Sequence, residues 1–164
     1  MTESWSTVRS DSAHHCVLWI SEWPRSLVYP GFLAPVLLSS GVRRTFSLLY
    51  TPMRTDQAAR DIRKKKTEYI SDAAQRQRIG QIEDAQQFAE YNDVLQQEAD
   101  LTAGHGILRT TGLIAVSAQE PEELERAVAD IEQAAIQASC ETRRLWGQQA
   151  QAFSAAAVPL CRQV

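Results

Sequence analysis

The stretch that most restricts the fold runs from Thr55 to Ala103, where apolar residues keep helical spacing and charges separate into two blocks. Thr55 or Asp56 is suited to cap its start, because a short polar side chain accepts from the first free backbone amides. In the first half Ala59, Ile62, Lys66, Tyr69 and Ala73 recur at three- and four-residue steps and predict one core-facing stripe. Phe88, Tyr91, Leu95 and Ala99 predict a second stripe in the other half. Gly80 lies between the halves, and "GHG" at 104–106 ends the tract. In a chain of 164 residues this predicts a helical hairpin hinged near Gly80 or one long projecting helix. The hairpin is the favoured reading.

The charges sharpen that expectation. Arg54, Arg60, Arg63, Lys64, Lys65, Lys66, Arg76 and Arg78 face only Asp56, Asp61, Glu68 and Asp72 up to residue 78. From Ile79 to Leu101 come Glu83, Asp84, Glu90, Asp93, Glu98 and Asp100, with no Lys or Arg. A basic arm followed by an acidic arm suits a self-complementary hairpin. Exposed pairs contribute only a few tenths of a kcal/mol each, so they select geometry more than they supply stability. The run Arg63, Lys64, Lys65 and Lys66 has three readings: an intramolecular or solvated face, a partner-docking face, and a nucleic-acid footprint on a basic arm 60–78. The formal net charge of −3 and pI near 5.6 do not support a general binder of nucleic acid or acidic lipid, since such proteins carry net positive charge.

On either side of this tract the chain reads as strands and helices. Residues 1–14 read as a flexible lead, and residues 15–164 as a single α+β domain with the helical insertion at about 55–103. "CVLWISEW" (16–23) is apolar, β-branched and aromatic, and Pro24 closes it as a strand. "GFLAPVLLS" (31–39) reads as a short buried helix with Pro35 in its first turn. "RRTFSLLYT" (43–51) alternates as a second strand. "ILRTTGLIAVSA" (107–118) is a third, with "LIAV" buried on both faces. Pro121 opens a helix whose Glu122 and Glu123 complement its N-terminal dipole, and Leu124, Val128, Ile131, Ala135 and Ala138 mark its apolar side. "ETRRLWG" (141–147) reads as a fourth strand, and "QQAQAFSAAAVPL" (148–160) as a C-terminal helix broken by Pro159. Two βαβ halves in this order predict a ferredoxin-like α+β sandwich, its second and third strands joined by the helical hairpin insertion.

Catalytic and metal patterns are sparse. No glycine-rich loop precedes Lys66-Thr67, so the backbone cradle of a phosphate-binding loop is missing; G-x-G-x-x-G and G-x-S-x-G are missing too. His105 within "GHG" reads as a helix-ending turn rather than a base. His14, His15 and Cys16 are consecutive, and strand residues alternate between faces, so they do not converge on one ion. Glu22 and Glu141 are single carboxylates without evident partners. Trp19, Trp23 and Trp146 read as core or interface anchors before base-stacking platforms. Cys16, Cys140 and Cys161, widely spaced and odd in number, fit a reducing compartment. The start of the chain has no apolar signal region. The uncharged run between Arg25 and Arg43 carries Pro30, Gly31, Pro35 and Gly41, which argues against a spanning helix.

Several of these segments in their order resemble one family. "WISEWPRSLVYPGFLAPVLL" (19–38), "RRTFSLLYTPMRTDQAARDIRKKKTEY" (43–69), "EYNDVLQQEADLTAGHGILRTTGLIAVSA" (90–118) and "ASCETRRLWGQQAQAFSAAAVPLC" (138–161) are similar to the N-terminal region of conjugative-transfer ATPases. These are the CagE/TrbE/VirB component of bacterial type IV secretion systems, and the likeness is to the actinobacterial branch. It implies an N-terminal α+β domain that precedes an ATPase domain, with ATP and Mg bound only by that further domain and no cofactor in this chain. It also implies a non-enzymatic role at the cytoplasmic face of the cell membrane. There the domain would dock the motor to inner-membrane channel proteins and to neighbouring subunits. Trp19, Trp23, Pro24 and the Arg63–Lys66 run are the expected contact residues, and a small nucleic-acid-binding module using residues 60–78 is the alternative.

Overall fold

The computed structural model describes residues 1–79 and 85–157. Gly80, the expected hinge, lies outside them, as do Glu83, Asp84, Pro159 and Cys161. The described chain is an α+β arrangement that divides into two compact units. One comprises Met1–Leu49 and Thr110–Val164, the other Tyr50–Arg109.

The first unit is built on an antiparallel sheet. Its strands are β1 (Thr2–Glu3), β2 (Val8–Ser10), β3 (Ala13–Glu22), β4 (Arg43–Pro52), β5 (Leu108–Ala118) and β6 (Glu141–Arg144). The order is β1-β2-β3-β5-β4, with β6 also paired to β3. β2 borders β3 at residues 13–15 and β6 borders it from Leu18 onward, so the two short strands share one edge. The opposite edge of β3 pairs with β5 from His14↔Ala118 to Ile20↔Gly112. Residues 1–14, expected to be a flexible lead, therefore carry two strands, and Val8 is fully buried. β2 pairs with β3 and β1 with β2, a dependence that composition at 1–14 does not reveal.

Side-chain alternation divides the core. Cys16, Leu18 and Ile20 of β3, with Ile114, Val116 and Ala118 of β5, face α1 (Ala34–Leu38) and α4 (Pro121–Gln137). Val17, Leu113 and Ala115 face the other way, against Ala152, Ala155 and Ala156 of α5 (Gln149–Ala157). The "LIAV" segment is thus buried on both faces because helices cover both. Each large apolar side chain in these clusters contributes roughly 1.5–3 kcal/mol. Alanines on α4 and α5 let the helix axes approach the sheet closely. In α1 only Val36 is fully buried, and Leu37 and Leu38 remain exposed.

Gln149 repairs the one gap in the β3 edge. Between the β2 and β6 pairings, the Val17 N–H donates to Gln149 Oε1 at 2.7 Å, and Gln149 Nε2 donates to Val17 O at 3.2 Å and Leu145 O at 2.8 Å. The amide acts as a short piece of strand. Close by, the Glu3 carboxylate accepts from the Ala150 N–H at 3.0 Å and so satisfies the start of α5. The α4 helix ends with Cys140 N donating to Ala135 O and Ser139 N to Ile136 O, with Ser139 at φ 55°. That turn usually takes glycine.

The second unit contains α2 (Thr55–Ile79) and α3 (Ala85–Thr102), which pack against each other. The Tyr69 and Tyr91 rings stack with centroids 4.2 Å apart. Lys66 Nζ donates to Glu98 at 2.6 Å, and Arg76 donates to Gln87. These pairs nest as antiparallel helices require. After α3, Gly104 N donates to Leu101 O and His105 N to Asp100 O, with Gly104 at φ 91°. "GHG" is a helix-closing turn of the Schellman type.

Candidate interaction surfaces

In the first unit the expected contact residues Trp19, Trp23 and Pro24 do not form one patch. Trp19 pairs across the sheet with Leu113, so it stands on the α5 face, where it is partly exposed. A register shift between Ile20 and Glu22 then turns the strand. Trp23 consequently packs against the opposite core cluster. Gly112 makes room for it, since a Cβ there would lie 2.8 Å from both Ile20 Cδ1 and Trp23 Cζ2. Trp23 also lines an open groove of about 670 Å³ with Arg25, Glu132, Ile136 and Cys140.

Following Pro24 the chain exposes apolar surface. Leu27 is fully exposed, and Val28, Tyr29, Leu37 and Leu38 are also open to solvent. Arg44 ties the end of α1 in place, its guanidinium donating to the carbonyls of Leu37, Ser39 and Val42. The segment from Trp23 to Thr55 contains no acidic residue, whereas Arg25, Arg43, Arg44 and Arg54 lie within it. Apolar side chains held outward on an anchored loop and short helix are the surface a partner would cover.

In the second unit Arg63, Lys64, Lys65 and Lys66 point in four directions, as consecutive helical residues must at about 100° each. Lys66 lies in the helix–helix seam against Glu98, whose hydrogen bond raises the lysine pKa. Lys64 pairs with Glu68 on its own helix at 3.7 Å. Lys64 and Lys65 both line a groove of about 700 Å³ with Asp61, Glu68, Asp100, His105 and Arg109. Arg63 is exposed on the other side. Of the four cations, Lys64 and Lys65 share a groove, whereas Lys66 is held in the seam and Arg63 lies apart. Pairing between the two helices includes Lys66–Glu98.

His15, Cys16 and Cys140 are packed into the first unit. His15 lies against Phe153 with ring centroids 4.2 Å apart, and its Nδ1 is 2.7 Å from Ser117 Oγ. Burial and then His14 lower its pKa. Cys16 points to the other face, where burial pushes its thiol up to about 12; burial raises Cys140 as well. Among the described residues no three His, Cys, Asp or Glu side chains gather as a metal site. No helix among them is long and apolar enough to cross a membrane.

Sequence reasoning missed Gln149, whose bonds to Val17 span most of the chain, and the exposure of Leu27, Val28, Tyr29, Leu37 and Leu38; the short helix it read as buried does pack Val36 on the core, with Phe32 and Leu33 beside it. Compared with models of protein families and with curated proteins, the chain matches none.

Proposed function

We propose that this chain is a non-catalytic interaction and assembly domain of a conjugative-transfer ATPase. It would hold the motor against inner-membrane channel proteins and adjacent subunits at the cytoplasmic face of the membrane. The observation that carries the reading is the set of exposed apolar side chains Leu27, Val28, Tyr29, Leu37 and Leu38, in an acid-free stretch bordered by Arg25 and Arg43. Exposed large apolar side chains on an anchored element have no role in folding the unit that carries them. A strand order of β6-β3-β5-β4, with α1 and α4 on one face, supports a ferredoxin-like sandwich as the scaffold. The sequence likeness to secretion ATPases supports the identity of the larger assembly. The nucleic-acid alternative has less support, because Lys66 is taken up by Glu98 in the helix seam and Lys64 and Lys65 share their groove with Asp61, Glu68 and Asp100.

The test is made in cells that carry the parent conjugative element. Leu27→Asp with Leu38→Asp should reduce transfer by at least about tenfold at unchanged protein level. A photo-crosslinker at position 27 should capture inner-membrane proteins. Unchanged transfer together with no membrane-protein adduct refutes the proposal. So does ATP hydrolysis by the purified chain that persists through repurification.

A further inference from the structure

One seam of the first unit shows how this protein holds a guanidinium. α4 and β6 are joined by the tight turn at Ser139 and pack on one another. Away from that turn, Glu125 grips Arg144 with both oxygens, Nη1 to Oε1 at 3.0 Å and Nη2 to Oε2 at 2.8 Å. The Arg144 Cζ lies 5.3 Å from the centre of the Trp146 ring. Carboxylate, planar cation and indole form one unit: the fork makes paired charge-assisted bonds and the ring face attracts the cation.

Nearer the turn the seam repeats the carboxylate and the indole without the cation. Glu132 follows Glu125 by seven residues, about two helical turns, and so returns to the same side of α4. Thr142 precedes Arg144 by two residues and leaves the same face of β6, but its side chain is short. Trp23, Glu132, Ile136 and Thr142 line the open groove of about 670 Å³. Two further carboxylates border it and both are engaged, Glu22 by Arg25 at 2.9 Å and Glu141 by Arg143 at 3.1 Å. Glu132 is half-buried, and among the described residues it has no ion-pair or hydrogen-bond partner.

We infer that this groove is a binding site for an arginine side chain of a partner polypeptide, gripped by Glu132 and covered by Trp23 and Ile136. Charge decides the sign of the occupant. Glu22, Glu132 and Glu141 stand against Arg25 alone, so a carboxylate or phosphate is repelled. A neutral apolar group would seal Glu132 from water with its charge unpaired, which is costly. Shape decides for arginine over lysine, because a flat fork matches a carboxylate and an indole face together, whereas an ammonium is a strongly hydrated point charge. The strand beside the groove decides for a polypeptide. Among the described residues β6 pairs only with β3, so its outer edge offers main-chain groups to an extended segment. A segment laid there sends alternate side chains towards α4, the side on which Glu132 lies. The site shares no residue with the exposed group at 27–38 and does not rest on the secretion-ATPase reading.

The test uses the full chain and a blocked pentapeptide with arginine at its centre and threonine elsewhere. In amide NMR at low salt, the Trp23 indole N–H, assigned by its loss in Trp23→Phe, should shift with a dissociation constant of about 1 mM. The same peptide with citrulline, which keeps the shape without the charge, should bind at least about tenfold more weakly. A lysine peptide should bind about threefold or more weakly still than arginine. Glu132→Gln should weaken the arginine peptide about tenfold with unchanged circular dichroism. Should that variant fold poorly, the citrulline comparison on the unaltered chain makes the same distinction. No Trp23 shift up to about 10 mM peptide, or equal binding of the arginine and citrulline peptides, overturns the inference. Equal binding of the lysine peptide overturns the choice of a guanidinium.

Discussion

Gln149→Leu should be the most damaging near-isosteric change in the first unit. The side chain is fully buried and its amide makes three hydrogen bonds to backbone. Leucine of similar bulk leaves the Val17 N–H without an acceptor, which costs about 1–3 kcal/mol. Leu145 O loses a donor too, while Val17 O keeps the Leu145 N–H at 3.3 Å. The sum is about 2–4 kcal/mol, and at about 2–4 °C per kcal/mol the midpoint should fall by roughly 5–15 °C. Urea unfolding followed by circular dichroism measures the loss, and faster hydrogen exchange at the Val17 amide locates it. Gln149→Glu supplies the acceptor but turns a carboxylate towards two carbonyls. Its folded pKa must rise above the unfolded value of about 4.3, so its stability is greatest below that pH and is lost as pH rises through the folded pKa. The two variants should therefore diverge as pH rises, with the Glu form the weaker at pH 7. A Gln149→Leu protein within about 0.5 kcal/mol of wild type would refute the strand-repair role.

Four further outcomes follow from geometry. His15 has a lowered pKa, so the stability gained by keeping it neutral is present above about 6.5 and is lost as pH falls through the folded value; His15→Gln should flatten that acid limb in pH-dependent urea titrations. Arg144 makes a bidentate pair with Glu125 at 3.0 and 2.8 Å and lies over Trp146, so Arg144→Ala should cost about 1–2 kcal/mol at pH 7. Because that bond lowers the Glu125 pKa, the cost is present above about 4.3 and shrinks on acidification below it, as paired denaturation curves at pH 7 and 3 should show. Ser139→Gly relieves a left-handed residue and should raise stability by about 0.5–1 kcal/mol in the same assay. Gly112→Ala should displace Trp23, costing about 1–3 kcal/mol and shifting tryptophan emission.

Much of the scaffold is legible because its punctuation is local. Pro24, Pro52 and Pro121 mark ends or beginnings that the backbone keeps within two residues, and the continuous apolar run at Leu113–Val116 signals burial on both faces. Less legible are features whose cause is distant. β1 and β2 carry little apolar residue beyond Val8; β2 exists through pairing with β3, and β1 through pairing with β2. In α3 two stripes 100° apart fit a helical period; the more apolar one, with Phe88 and Leu95, is the outer one, since Glu98 is drawn inward by Lys66. The expected contact group Trp19, Trp23 and Pro24 looks continuous in one dimension, but the bulge after Ile20 separates its members in three. Residues 27–38 look like core throughout by composition, but only Phe32, Leu33 and Val36 reach it, because apolarity does not say which side chains have anything to pack against.

The position of β3 also sets a timetable for folding. During synthesis only β2 is available to it, while β5 and β6 emerge after the whole α2–α3 hairpin. At about 5–20 residues per second, β6 follows β3 by roughly 6–24 s. The hairpin, made of neighbouring segments, can close within that interval; the sheet cannot. A nascent chain therefore carries the apolar strand Cys16–Ile20 unpaired on both edges for seconds, a vulnerability for chaperones to cover that is gone once Gln149 arrives.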